Sequence, residues 1–275
     1  MRCVSLRRND MNVTAYLNRI NYHGSLAPTA ETLRALQVAH LRTVPFENLS
    51  IHAGEPIVLE EEALFAKIVD GRRGGFCYEV NGLFAGLLRA LGFDVAMLAA
   101  GVGRAAGGFS PDFDHMTLMV TLAERWLVDV GFGDSFLEPL LLDARTEQVQ
   151  GASSFRIVDD NSHLILMRRN DGDNWEAQYR FTLQPYTFGD YEEMCRFHQT
   201  SPDSHFTKGR ICSLPTEDGR LTLSDMRLIT TSTAQQHRDE RTLTSEEYDR
   251  ILRDQFGIVM NKQGNVIGHS QYRPR

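Results

Sequence analysis

The apolar residues of this chain change their spacing once, and that change restricts the fold more than any other feature. Val80, Leu83, Phe84, Leu87, Leu88 and Leu91 recur at steps of 3, 1, 3, 1 and 3. Such spacing lays one continuous stripe along an α-helix, which is predicted to open at Cys77 and stop at Gly92. Further on the period falls to two. Met116, Leu118, Val120 and Leu122 alternate with His115, Thr117, Met119 and Thr121, and Trp126, Val128 and Val130 alternate with Leu127 and Asp129. Successive side chains of a strand point to opposite faces, so these segments are predicted strands.

Helical spacing also marks Val13, Tyr16, Leu17 and Ile20, then Leu33, Leu36 and His40 behind a Thr29 cap, then Leu64, Phe65, Ile68 and Val69 up to Gly71. Short strands are predicted at 154–158, 164–168 and 175–181, with Asp171-Gly172-Asp173 as a hairpin turn. After Asp190 the pattern is mixed. Strands are predicted at 221–223 and 226–231, with turns at Asp218-Gly219 and Ser224-Asp225. A last helix starts at Thr244-Ser245-Glu246-Glu247, a capping-box pattern, with Tyr248, Ile251 and Leu252 on one face. The fold class is α+β: helices, then an antiparallel β region, then a smaller mixed lobe.

The chain has 275 residues, 42% hydrophobic and 24% charged, enough for a sizeable core. A net charge of −7 argues against nucleic acid as the main partner. No apolar run reaches the length of a membrane helix, so no membrane partner is expected. The opening MRCVSLRRND is basic but no apolar stretch follows, so it does not read as a secretory signal. Residues 1–10 are expected to be a loose tail, with Met11 as an alternative start. The expected location is cytoplasmic, where thiols stay reduced. Cys3, Cys77, Cys195 and Cys212 form no CxxC pair, so neither a zinc site nor a redox dithiol is expected.

Cys77 is the thiol that stands out. At the first position of a helix it meets unpaired backbone N–H groups and the positive end of the helix dipole, which favour a thiolate. Gly74 and Gly75 let the backbone turn and leave room for a substrate. The Cys77 N–H is a candidate donor to an oxyanion. Most cysteines are small core fillers, but the apolar stripe begins at Val80 and omits position 77. Cys195 and Cys212 lack both signals and read as core or surface residues.

A nucleophilic thiol needs a base, and the base an orienting group. His115 opens the first strong strand. Asp129 lies inside an otherwise apolar strand, where a carboxylate is costly unless paired. Positions 115 and 129 share parity, so they face one side of a hairpin only if its loop holds an odd number of residues. A three-residue loop, Leu122, Ala123 and Glu124, sets Asp129 opposite Thr117 and makes it a diagonal neighbour of His115. A two-residue loop puts the two side chains on opposite faces unless a bulge intervenes.

These residues resemble the arylamine N-acetyltransferase family. Its Arg-Gly-Gly-aromatic-Cys-x-Glu-x-Asn pattern is met by Arg73, Gly74, Gly75, Phe76, Cys77, Glu79 and Asn81. Pro45-Phe46-Glu47-Asn48-Leu49 and Val128-Asp129-Val130-Gly131-Phe132-Gly133 are similar to further family stretches, as are Ser201 to Phe206 and Gly219 to Leu223. The resemblance covers nearly the whole chain from Met11. Residues 107–114 match no family pattern.

The resemblance implies a papain-like arrangement, with a helical bundle over 11–93, an antiparallel β barrel over 94–190 and an α/β lid over 191–275. It implies a Cys77–His115–Asp129 triad and ping-pong transfer of an acetyl group from acetyl-CoA, as co-substrate, to an aromatic amine or hydrazine. No metal is implied. Phe76, Gly131, Phe132 and Gly133 are expected at the acceptor and donor pocket. Arg73, Gly75, Glu79 and Asn81 are expected to support the site, with Arg73 and Glu79 pairing with each other or with the loop. Glu47 and Asn48 are expected to do similar work between the helices. Lys208, Arg210 and Arg220 are candidate CoA ligands. The rival readings are a papain- or transglutaminase-like thiol enzyme, a biosynthetic amide-forming acyltransferase, and a binding module that kept the fold.

Overall fold

The computed structural model describes residues 11–170, 172, 174–232, 237–260 and 266–267. Residues 1–10, Asp171 and Asp173, on which a tail and part of a turn are expected, lie outside them. The chain begins with α1 (Val13–Arg19) and α2 (Ala30–Thr43). Thr29 caps α2 as its sequence implies, its side chain accepting from the Thr32 N–H at 3.2 Å. A two-residue strand β1 (Phe46–Glu47) leads into α3 (Leu49–Ala53). Next come α4 (Glu61–Phe65), continued by a π-helical turn Ala66–Asp70, and α5 (Cys77–Ala90).

Helix α5 is the axis of the molecule. Every residue from Cys77 to Leu88 is buried, polar ones included, so the apolar stripe marks only part of a helix enclosed on all sides. One flank packs on α4 and α1, the other on the sheet strands β2 (Asp94–Val102) and β3 (His115–Thr121). Alternation along β3 divides two cores. Met116, Leu118 and Val120 belong to the α5 cluster, while Met119 packs with Leu98, Ala100, Leu127 and Phe181 inside the barrel.

The barrel continues through β4 (Arg125–Val128), β5 (Leu140–Leu141), β6 (Gln148–Gln150), β7 (Ser153–Asp160), β8 (His163–Asn170) and β9 (Glu176–Tyr186). Its 8-stranded antiparallel sheet runs β5-β4-β3-β2-β9-β8-β7-β6. Side chains bridge the seam between the two edges. Gln148 accepts from Leu141 N (2.8 Å) and donates to Leu141 O (3.0 Å). Gln150 accepts from Leu137 N and Glu138 N (3.0 Å each) and donates to Glu138 O (2.8 Å).

Helix α6 (Phe188–Thr200) leads into the lid, whose sheet holds β10 (Ile211–Pro215), β11 (Gly219–Ser224), β12 (Arg227–Ser232) and β13 (His237–Thr242). Helix α7 (Ser245–Phe256) follows; its Thr244–Glu247 capping box forms as the sequence implies. The sheet order is β1-β10-β11-β12-β13, so its first strand comes from the helical region, with Phe46 opposite Ser213. No helix among the described residues is long and apolar enough to cross a membrane.

Candidate active site

The register of β3 and β4 settles the parity question. Leu118 pairs with Val128 and Thr121 with Arg125, leaving residues 122 to 124 as the loop. The ladder ends at that Leu118–Val128 pair, so Asp129 lies one residue past β4 rather than inside a strand running to Val130, yet its carboxylate still meets His115. His115 Nε2 lies 2.7 Å from Asp129 Oδ2. Cys77 opens α5 after Phe76, whose backbone is extended, and Cys77 and His115 line one cavity of ≈ 330 Å³. Cys77, His115 and Asp129 are each 3% exposed.

Asp129 is fixed from three sides. Asn81 Nδ2 donates to Oδ1 at 2.9 Å, Gly131 N–H donates to Oδ1 at 2.9 Å, and His115 holds Oδ2. Burial alone would raise this carboxyl, but the His115 charge and these hydrogen bonds overcome it and hold it below the usual range. Asn81 also donates to Met116 O (2.7 Å) and accepts from Val130 N–H (2.8 Å), so one amide joins α5 to both strands. With Nε2 directed at the carboxylate, Nδ1 is the nitrogen left for the substrate side.

The Cys77 thiol differs from expectation. Burial pushes it well above its ordinary value, and the charges of Asp129 and Asp114 push the same way; a hydrogen bond from the Met116 backbone N–H pulls it back. Desolvation outweighs the helix N-terminus here.

The support residues divide. Arg73 does not pair with Glu79. Its Nε donates to Glu47 Oε1 at 2.9 Å, its Nη2 to Glu47 Oε2 and Ser50 Oγ at 3.2 Å each, and its Nη1 to Glu55 at 3.3 Å. Burial works against the Glu47 charge, but Arg73, Lys67 and the Leu49 N–H leave it lowered. Glu79 accepts from Lys67 Nζ (2.5 Å) and from the Phe76 N–H (3.1 Å), closing the first turn of α5. Gly74 and Gly75 serve packing rather than substrate access. Their backbone is joined to 45–47, Glu47 N–H donating to Gly75 O at 3.1 Å, and neither lines the cavity. A Cβ on Gly75 would stand 2.7 Å from Glu79 Cβ, and one on Gly74 would overlap Pro45 O.

Of the expected pocket residues, Gly131 and Phe132 line the cavity. Phe76 and Gly133 do not; Phe76 is fully buried, its ring set edge-on against Tyr78, His198 and Phe206. Of the basic candidates Arg210 lines the cavity, stacked 5.0 Å over the Tyr248 ring. Arg220 is paired with Asp134, and Lys208 Nζ lies 3.4 Å from Asp203 O. Asn48 ties the lid down, donating to Phe206 O (2.9 Å) and Gly209 O (2.8 Å) and accepting from Ile211 N–H (2.8 Å).

Sequence reasoning passed over Phe46, Val102, Asp114, His205 and Phe206, which also line the cavity, and Tyr179, whose ring sits 5.1 Å from that of His115. Phe46, His205 and Phe206 fall inside stretches already singled out, which was the available signal. Among the described residues no cluster of His, Cys, Asp and Glu is placed to hold a metal.

A family model for N-acetyltransferases matches residues 29–265. The chain is 36% identical to an arylamine N-acetyltransferase, pineal gland isozyme, of Gallus gallus, and 34% identical to arylamine N-acetyltransferase 1 of Homo sapiens. Each match covers 92% of this chain and 96% of the relative. The solved arylamine N-acetyltransferase of Mycobacterium marinum, in complex with CoA, superposes with a TM-score of 0.82 at 34% identity, covering 90% of this chain and 92% of that one. The arylamine N-acetyltransferase of Salmonella typhimurium superposes at 0.83 with 32% identity, covering 91% and 92%. Sequence, fold and relatives therefore converge, and the chain belongs to the arylamine N-acetyltransferase family.

Proposed function

We propose that this enzyme moves an acetyl group from acetyl-CoA to the amino group of an aromatic amine or hydrazine, through an acetyl-cysteine at Cys77. One observation carries the reading: a thiol at the start of a rigid, buried helix shares a cavity with an imidazole whose far nitrogen is held 2.7 Å from a buried carboxylate. The solved relative in complex with CoA supports the donor.

In the first half-reaction His115 Nδ1 takes the Cys77 proton and Sγ attacks the thioester carbonyl. The bond from carbon to the CoA sulfur breaks, and CoA leaves with the proton returned by His115. In the second, the acceptor nitrogen attacks the acetyl-cysteine, His115 takes its N–H proton, and Cys77 leaves as a thiolate that is reprotonated. Asp129 keeps the imidazole in one tautomer and stabilises its charged form in both halves. Phe132, Phe46 and Phe206 give the cavity apolar walls that suit an aryl ring and keep water from the acyl-enzyme. Arg210 lines the same cavity and offers a cation to an anionic part of the donor. We place this chemistry in the cytoplasm, where a reactive thiol stays reduced.

The test is intact-protein mass spectrometry after mixing with acetyl-CoA and no amine. One added acetyl on the wild type and none on Cys77→Ala is expected. An unmodified wild type with a reduced thiol and bound donor would refute the acyl-enzyme.

A further inference from the structure

Among the described residues that line the cavity, one is a carboxylate: Asp114, the residue before His115. It lies in the segment that matched no family pattern. Its surroundings are those of a built group rather than a surface acid, for its side chain is 15% exposed. From behind, His198 Nε2 on α6 lies 3.1 Å from Asp114 Oδ1, and His198 Nδ1 lies 3.0 Å from Ser204 Oγ. His198 and Ser204 are themselves buried, at 1% and 2% exposed, so this array holds a charge and has no open face for chemistry of its own.

Burial would raise the Asp114 carboxyl, yet its neighbours His198, Ser110 and His205 leave it lowered, so it is ionised at neutral pH. Its charge reaches the thiol, pushing Cys77 up. His205, which also lines the cavity, is held below its ordinary value, first by burial and then by His198, against the opposing pull of Asp114. Arg210 brings a cation from the lid side, just before β10. The wall also carries apolar Phe46, Val102, Phe132 and Phe206 beside polar Asn48 and Ser224. A fixed negative charge at a partly apolar wall penalises a second one brought close to it, because the pair is screened less than in open water.

We propose that Asp114 selects the acceptor by charge: the cavity favours aromatic amines and hydrazides whose ring substituent is neutral or cationic and turns away those carrying a ring carboxylate. The proposal rests on the acyl-transfer reading above and deepens it by naming the class of acceptor.

The experiment uses three acceptors that share one ring and one amine: 4-aminobenzoate, 4-aminobenzamide and 4-aminobenzylamine. Their kcat/KM values are measured with acetyl-CoA on the wild type and on Asp114→Asn. Ratios within one enzyme cancel any change in the thiol, because each acceptor meets the same acyl-enzyme. The wild type is expected to favour the amide over the benzoate by about 10-fold or more, with the benzylamine at least equal to the amide. Asp114→Asn is expected to bring the amide-to-benzoate ratio close to one. A wild type that uses the benzoate as well as the amide, or a ratio untouched by Asp114→Asn, overturns the proposal. Binding of the same three compounds to the wild type without acetyl-CoA gives the ranking independently of turnover and of how the variant folds. Equal binding of all three again overturns it. Failure of acetyl-CoA to acetylate Cys77 would defeat the acyl-transfer reading alone, and the binding ranking would still judge Asp114.

Discussion

Gly131→Ala places the smallest possible wedge between Cys77 and the Asn81 side chain that holds Asp129. A Cβ at that position would stand 2.7 Å from Asn81 Nδ2, 2.8 Å from Cys77 Cα and 3.0 Å from Val80 Cγ2. Unstrained contacts of this kind lie near 3.5–4.0 Å, so the neighbours must yield by about 0.5–1 Å. Asn81 has little freedom to yield, being bonded to Met116 O at 2.7 Å and Asp129 Oδ1 at 2.9 Å. The other two atoms belong to the first turn of α5. The displacement therefore separates the thiol from residues 129–131. Overpacking of a filled interior costs about 1–3 kcal/mol of stability, and a misplacement of about 1 Å costs on the order of 10²-fold in rate. Quench-flow mass spectrometry at saturating acetyl-CoA reads the acetylation rate of Cys77, and urea unfolding reads the stability. A folded Gly131→Ala protein acetylated at the wild-type rate would refute this geometry.

Two more predictions concern buried charge. Arg19 Nε donates to Ile68 O (2.9 Å), Nη1 to Thr43 O (2.8 Å) and Nη2 to Arg73 O (3.1 Å), pinning the segment before Cys77. Arg19→Met leaves these carbonyls without their donors and is expected to cost about 3–5 kcal/mol in urea unfolding; a loss below about 1 kcal/mol would count against the pin. Glu47→Gln is expected to cost about 3 kcal/mol at pH 7, because the buried Arg73 loses its main counter-charge. Since the folded-state pKa of Glu47 is lowered, its contribution is present above the unfolded value of about 4.3 and fades as pH falls through the folded value. The gap between variant and wild type should therefore narrow below about pH 4, and a gap constant from pH 7 to pH 3 would contradict the linkage.

What could be read from the chain follows from how each element is exposed. Strands β3 and β4 alternate because each separates two different surroundings, and β7, β8 and β9 announce themselves for the same reason. Strand β2 carries no such signal: from Leu98 to Gly101 it is buried without interruption, so its two faces look alike. Helix α6 was missed because its buried residues are Tyr191, Cys195 and His198, a stripe with little hydrophobic weight. Its one usable cue was Thr187 with Asp190, whose carboxylate accepts from the Thr187 N–H at 2.7 Å. At the site, parity placed His115 and Asp129 on one face because register is a local property of a short hairpin. The partners of Arg73 and Glu79, and the cavity position of Asp114, depend on chain segments far apart in sequence. No local spacing encodes them.

The glutamine-bridged seam bears on how the molecule behaves in company. An open sheet leaves rows of unpaired N–H and C=O groups along its outer strands, and such rows invite a strand from another chain. Here Leu137 N, Glu138 N and O, and Leu141 N and O are already engaged by Gln148 and Gln150. Two side-chain amides stand in for the missing neighbour and leave that edge little to offer as a template. Protection against stacking into fibres thus rests on residues that neither fill the core nor approach the cavity. Substitutions there would first be noticed as insolubility in a protein whose chemistry is intact.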